Sequence, residues 1–159
     1  MPPKRFRYRL EKVLELKRKR EEEEKEKLGK LLQEEAYEKQ VKAQLEATLA
    51  QVQIELREKQ REGSLNVNDL RFYPRHVKNL EDKIKYQELR LQELAIRIVE
   101  QRENLLKAAQ ERKMYEKHKE KSQEEWQAEM DHEEAKMIDE LATIKFAREQ
   151  ATGQGQSED

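Results

Sequence analysis

One short run of helix-breaking residues, Gly63-Ser64-Leu65-Asn66-Val67-Asn68-Asp69 with Pro74 just beyond, separates two long stretches that contain almost no breaker. Elsewhere the only prolines are Pro2 and Pro3, and the only glycines are Gly29, Gly153 and Gly155. Glu, Lys, Gln, Leu, Ala and Arg fill most other positions, and these side chains lose little freedom in a helix. Such a chain has few options besides two long helices, the second folded back along the first.

Composition supports this reading. Charged residues are 43% of the 159 and the hydrophobic class 35%. That is lean for a globular core but sufficient for one apolar stripe per helix. Disorder is the competing reading of so polar a chain, and sustained heptads argue against it. With 34 basic and 35 acidic residues the net charge is −1, which gives no overall pull toward nucleic acid. The absence of cysteine excludes disulfides and thiolate metal sites. No apolar run approaches the ~20 residues of a membrane span, so direct membrane insertion is not expected. Met1-Pro2-Pro3-Lys4-Arg5 leads into charged sequence rather than an apolar signal core, which predicts a cytoplasmic protein.

The expected fold is all-α, a long two-helix antiparallel coiled-coil hairpin with a short irregular or helical segment at the bend. It forms a single rod over residues 1–151, with helix 1 over about 6–62, the bend over 63–75, helix 2 over about 76–151, and a disordered tail over 152–159. Alternate steps of four and three from Leu10 give Leu14, Lys17, Glu21, Glu24, Leu28, Leu31, Glu35, Glu38, Lys42, Leu45, Leu49, Val52 and Leu56, a seam with charged segments. The second seam reads Val77, Leu80, Ile84, Gln87, Leu91, Leu94, Ile98, Gln101, Leu105, Ala108, Arg112, Tyr115, Lys119, Ser122 and Trp126. Met130, Met137, Leu141 and Ile144 continue it only after a four-residue stutter, which unwinds the supercoil locally. Asn66 and Asn68 are candidate N-caps, and Pro74 predicts a kink at Tyr73. A bend near residue 69 pairs positions totalling roughly 138, so Leu45 is expected near Leu94 and Leu10 near Trp126. Residues beyond about Asp131, with Met137, Leu141, Ile144 and Phe146, are then left without an internal partner.

No catalytic constellation is present. His76, His118 and His132 are far apart, and His132-Glu133-Glu134 lacks the second histidine of a zinc helix. A thin rod offers its many carboxylates no pocket that would tune a general acid. No enzymatic activity, cofactor or metal is expected. Lys4, Arg5, Arg7, Arg9 and Lys12, followed by Lys17-Arg18-Lys19-Arg20, read either as a solvated face or as a surface for acidic partners. The interleaved Phe6 and Tyr8 suit a protein socket better than nucleic acid. Phe72, Tyr73 and His76 cluster at the bend, where they close the hairpin or face a partner. Trp126 reads as seam packing.

The opening Phe6-Arg7-Tyr8-Arg9-Leu10-Glu11-Lys12-Val13-Leu14-Glu15-Leu16-Lys17 resembles the start of the bacterial flagellar export protein family FliJ. The Leu70-to-Tyr73 segment at the bend, the Tyr115-to-Lys121 stretch and the Asp131-to-Arg148 segment are similar to later parts of that family. The resemblance implies a stalk in the flagellar type III secretion apparatus. Such a stalk inserts into the hexameric flagellar export ATPase FliI, promotes ring assembly, couples the ring to the export-gate membrane protein FlhA, and handles export chaperones. It implies ring contacts through Arg5, Phe6, Arg7, Leu10, Val13, Trp126, Met137, Leu141 and Phe146. Gate contacts are implied through Phe72, Tyr73, His76, Leu80, Lys83 and Gln87. The protein is expected to be a monomer on its own and peripheral to the inner-membrane export apparatus. The alternatives are a generic dimeric cytosolic coiled-coil scaffold and an injectisome stalk homologue.

Overall fold

In the computed structural model, residues 4–155 are described. They form two α-helices that pack against each other, with no strand: α1, Glu11–Glu62, and α2, Val67–Gly155. Packing divides the chain into two compact units, Lys19–Ala109 and Met1–Arg18 with Gln110–Asp159.

The Lys19–Ala109 unit contains the bend, which is much tighter than the expected 63–75. α1 ends in a Schellman motif: the Ser64 amide donates to the Lys59 carbonyl (3.1 Å) and the Gly63 amide to the Gln60 carbonyl (3.4 Å). Gly63 adopts φ 69°, a left-handed conformation that a side chain would resist. Three residues later a capping box opens α2. The Asp69 amide donates to Asn66 Oδ1 (2.8 Å), and the Asn66 amide donates to Asp69 Oδ2 (3.2 Å). Helix therefore starts at Val67 rather than at His76 and runs through Pro74. Proline removes one N–H, the one that would reach the Leu70 carbonyl. Leu70 lies on the exposed face, where water can take up that acceptor. A strong cap outweighs one lost bond.

The cap makes two predictions. Asn66→Ala is expected to cost about 1 kcal/mol, read as a lower thermal midpoint by circular dichroism. The Asn66 amide, and then the Lys59 ammonium at 3.2 Å, hold the Asp69 carboxyl below its ordinary range. A lowered pKa means that Asp69 stabilises fully above about pH 4, its unfolded value, and loses that contribution as pH falls through the folded one. Asp69→Asn should therefore flatten the acid limb of a stability–pH curve. An unchanged limb would count against the capping role.

Within this unit the predicted seam positions Glu21, Glu24, Leu28, Leu31, Glu35, Glu38, Lys42, Leu45, Leu49, Val52 and Leu56 are all buried or half-buried. So are the predicted seam positions of α2 from Val77 to Ala108. Val52, Tyr73 and Leu80 form a core with Leu45, Leu49, Leu56 and Val77 around it. The pairing register differs from the expected one. The Gln87 side-chain amide donates to the Glu38 carbonyl (3.1 Å) and to its carboxylate, and Gln101 does the same to Glu24 (3.1 Å to the carbonyl). In both pairs the residue numbers total 125. Leu45 accordingly packs into the cluster around Leu80 instead of facing Leu94. The offset is about 13 residues, or ~20 Å of helix.

In the other unit α1 begins at Glu11, not near Phe6. Residues 4–10 are non-helical, and the Glu11 amide closes a turn onto the Tyr8 carbonyl (3.2 Å). Leu14 is fully enclosed, a burial worth about 1.5–3 kcal/mol. At the far end α2 continues through Gly155, so helix replaces the expected tail over 152–155. The rest of that tail, residues 156–159, lies outside the described residues.

Candidate functional site

The unit that holds residues 4–18 and 110–155 is built by a non-helical segment of backbone lying on a helix. Each non-helical residue advances about twice as far as a helical one, so residues 4–10 cover a long stretch of α2. The Tyr8 hydroxyl lies 2.6 Å from His118 Nδ1 and donates to the Tyr115 carbonyl at 3.4 Å. Its ring lies against His118, 5.5 Å between centroids. Two residues earlier Phe6 meets Trp126 at 6.1 Å and 52°, a tilted aromatic pair. Lys4 then borders an open groove of about 530 Å³ with Met130, Glu133, Glu134, Lys136, Met137 and Glu140.

Ion pairs fasten the start of α1 to α2: Lys17 to Glu111 (3.0 Å), Arg18 to Glu116 (3.5 Å) and Lys119 to Glu11 (2.8 Å). They are solvent-facing, so each contributes at most about 1 kcal/mol. Their value lies in alignment.

The ring-contact residues implied by resemblance divide in two. Leu10 and Val13 are half-buried, and Phe6 and Trp126 are used on each other. Arg5 and Arg7 remain exposed. Met137, Leu141 and Phe146 are each 61% exposed, with Ile138 and Ile144 beside them. At ~100° per residue Met137, Ile138, Leu141 and Ile144 share one bare apolar face, whose first member borders the groove that Lys4 lines, and Phe146 lies on the other side of the helix. Met130 is half-buried, so cover ends close to the residue expected.

The gate-contact residues also separate. Tyr73, Leu80 and Gln87 are turned inward and are 5–7% exposed. As packed they present little surface to a partner. Heptad position explains it: Leu80 and Gln87 are seam residues, and the early start of α2 brings Tyr73 onto the same face. Phe72 is exposed and stacks on His76 at 5.2 Å and 22°, and Lys83 is exposed. Lys59 sits 5.3 Å above the Tyr73 ring. Asp69 beside it raises the Lys59 pKa above its ordinary value.

Sequence reasoning missed the Tyr8–His118–Tyr115 arrangement. Tyr8 lies on a non-helical segment, where a heptad count continued back from Leu10 selects Phe6 instead. No cluster of His, Asp or Glu suited to a metal exists among the described residues. No described helix is long and apolar enough to cross a membrane.

The model of the flagellar FliJ protein family matches residues 6–151, nearly the whole chain. This chain belongs to the flagellar FliJ family. It is a component of the flagellar protein export apparatus, in a family that is structural rather than catalytic. No curated protein and no solved structure matches it. For a FliJ chain the matched span includes the aromatic amino-terminal segment, the bend and the uncovered end of α2.

Proposed function

We propose that this FliJ chain is the stalk of the export ATPase, entering the hexameric ring with its paired chain ends. The bare face of Met137, Ile138, Leu141 and Ile144, with exposed Phe146 at the same helix end, carries this reading. Five large apolar side chains on one helix end are costly to leave in water and call for an external surface. Exposed Arg5 and Arg7 lie in the same unit and supply charge for acidic ring loops. Two helices side by side are slender enough for a ring bore.

In this role the chain promotes assembly of the FliI hexamer, couples it to FlhA at the inner membrane, and handles export chaperones. Phe72, His76 and Lys83 form the remaining outward surface for the gate. The test is direct: purified FliJ chain is added to the purified export ATPase, and hydrolysis and hexamer content are measured. Both are expected to rise several-fold. No rise in either and no co-sedimentation would overturn the stalk reading.

A further inference from the structure

α2 carries a second apolar stripe on the face turned away from α1. Leu94, Ile98 and Gln101 are buried inward, whereas Leu89, Ile96, Val99 and Leu106 are 57–66% exposed. Ile96 is two residues from Leu94, a rotation of ~200° around the helix, so the two faces stand back to back. With Gln92 and Glu103, both exposed, the six positions step by three and four alternately. That is the spacing of a coiled-coil seam. A single exposed leucine needs no explanation, but four large apolar side chains in heptad order along ~26 Å of helix form a surface.

We infer that this stripe is covered by the same stripe of a second copy of the chain, antiparallel across a two-fold axis. The order of its side chains selects that occupant. When residue numbers are paired to total 195, Leu89 faces Leu106 of the second copy, Ile96 faces Val99, and Gln92 faces Glu103. The two-fold axis repeats each pair. Every apolar side chain then meets an apolar one. The Gln–Glu layer repeats the chemistry α2 uses inwardly at Gln87 with Glu38 and Gln101 with Glu24. Parallel pairing is worse: it sets Glu103 on Glu103 and brings Glu88 beside Glu93 and Arg102 beside Lys107, like charge on like. In the antiparallel arrangement one edge still brings Glu93 near Glu100. Association therefore strengthens as salt is raised, because screening relieves that repulsion and leaves apolar contact undiminished. Four apolar side chains per copy make a small interface, which places the affinity in the micromolar range. The inference does not rest on the ATPase reading and is tested without the ATPase.

Sedimentation velocity of the full chain, from about 1 to about 300 µM, should show a reversible passage from monomer to dimer, shifted to lower concentration by salt. Ile96→Glu with Val99→Glu should weaken dimerisation roughly 100-fold with helical content unchanged, both positions being exposed. The chain has no cysteine, so single-cysteine variants report orientation. A mixture of Ile96→Cys and Val99→Cys chains should oxidise to the mixed disulfide in preference to either like pair. A chain that stays monomeric throughout, or like-with-like disulfides in excess, would overturn the inference.

Discussion

Leu141→Glu combined with Ile144→Glu is expected to abolish motility while leaving the helices intact. Both side chains are more than half exposed on the uncovered end of α2, so the folded protein loses no internal packing and stability should change by under about 0.5 kcal/mol. Binding is another matter. Apolar anchors at a protein interface commonly contribute about 2 kcal/mol or more each, and a buried unpaired carboxylate adds its own penalty. Affinity for the ring should therefore fall by a factor of more than about 100, and ATPase stimulation with it. Circular dichroism, ATPase stimulation and swimming in soft agar check the three parts. Normal swimming by a stably expressed variant would show that this face is not the working surface.

The second large effect concerns the polar layers inside the Lys19–Ala109 unit. Glu24, Glu38, Gln87 and Gln101 are all buried, yet no buried side-chain nitrogen or oxygen among the described residues lacks a hydrogen bond. Arg90 Nε adds a 3.0 Å contact to Glu38, which in turn raises the guanidinium pKa above its ordinary value. Gln87→Ala removes both hydrogen bonds that its amide gives Glu38, leaving only Arg90 there, and is expected to cost about 1–3 kcal/mol, as is Gln101→Ala at Glu24. Replacing a whole layer should act oppositely. Gln87→Leu with Glu38→Leu exchanges a hydrogen-bonded pair for apolar contact, and such exchanges are often neutral or stabilising by about 1–4 kcal/mol. Urea denaturation midpoints of the single and double variants decide it. If the double variant is as unstable as Gln87→Ala, apolar contact cannot replace the polar layer. In cells the stabilised double variant is expected to secrete poorly, because the seam would be stiffer and its register less constrained.

These layers also explain why the register was not legible. Both seams repeat every seven residues, so sliding one helix by two heptads presents nearly the same stripe. The expected pairing of Leu45 with Leu94 is that slide. In it Gln101 would meet Glu38, but Gln87 would meet Val52 and Glu24 would meet Tyr115. Of these two registers, only the observed one gives both glutamines a glutamate. The bend points the same way, since the Schellman motif and the Asn66 capping box shorten the connection to residues 63–66. Asn66 was visible as a cap. That it would outweigh Pro74 was not, because the balance depends on Asp69 reciprocating and on Lys59 and Tyr73 closing around it.

The candidate site was legible to a similar depth. The apolar positions at 137, 141, 144 and 146 announced an uncovered stripe, since no positions of the first helix remained to face them. Which aromatic would turn inward was hidden in both units. Phe6 and Tyr8, like Phe72 and Tyr73, are near neighbours whose assignment changes with the local backbone.

Two helices, the covered face of each and the bare end of the second could all be read from the residues in order. Those features follow from breaker placement and heptad phase, which are local. The tertiary structure alone decided which residue faces which, because a periodic stripe is degenerate to sliding until particular hydrogen bonds and a particular turn lift the degeneracy.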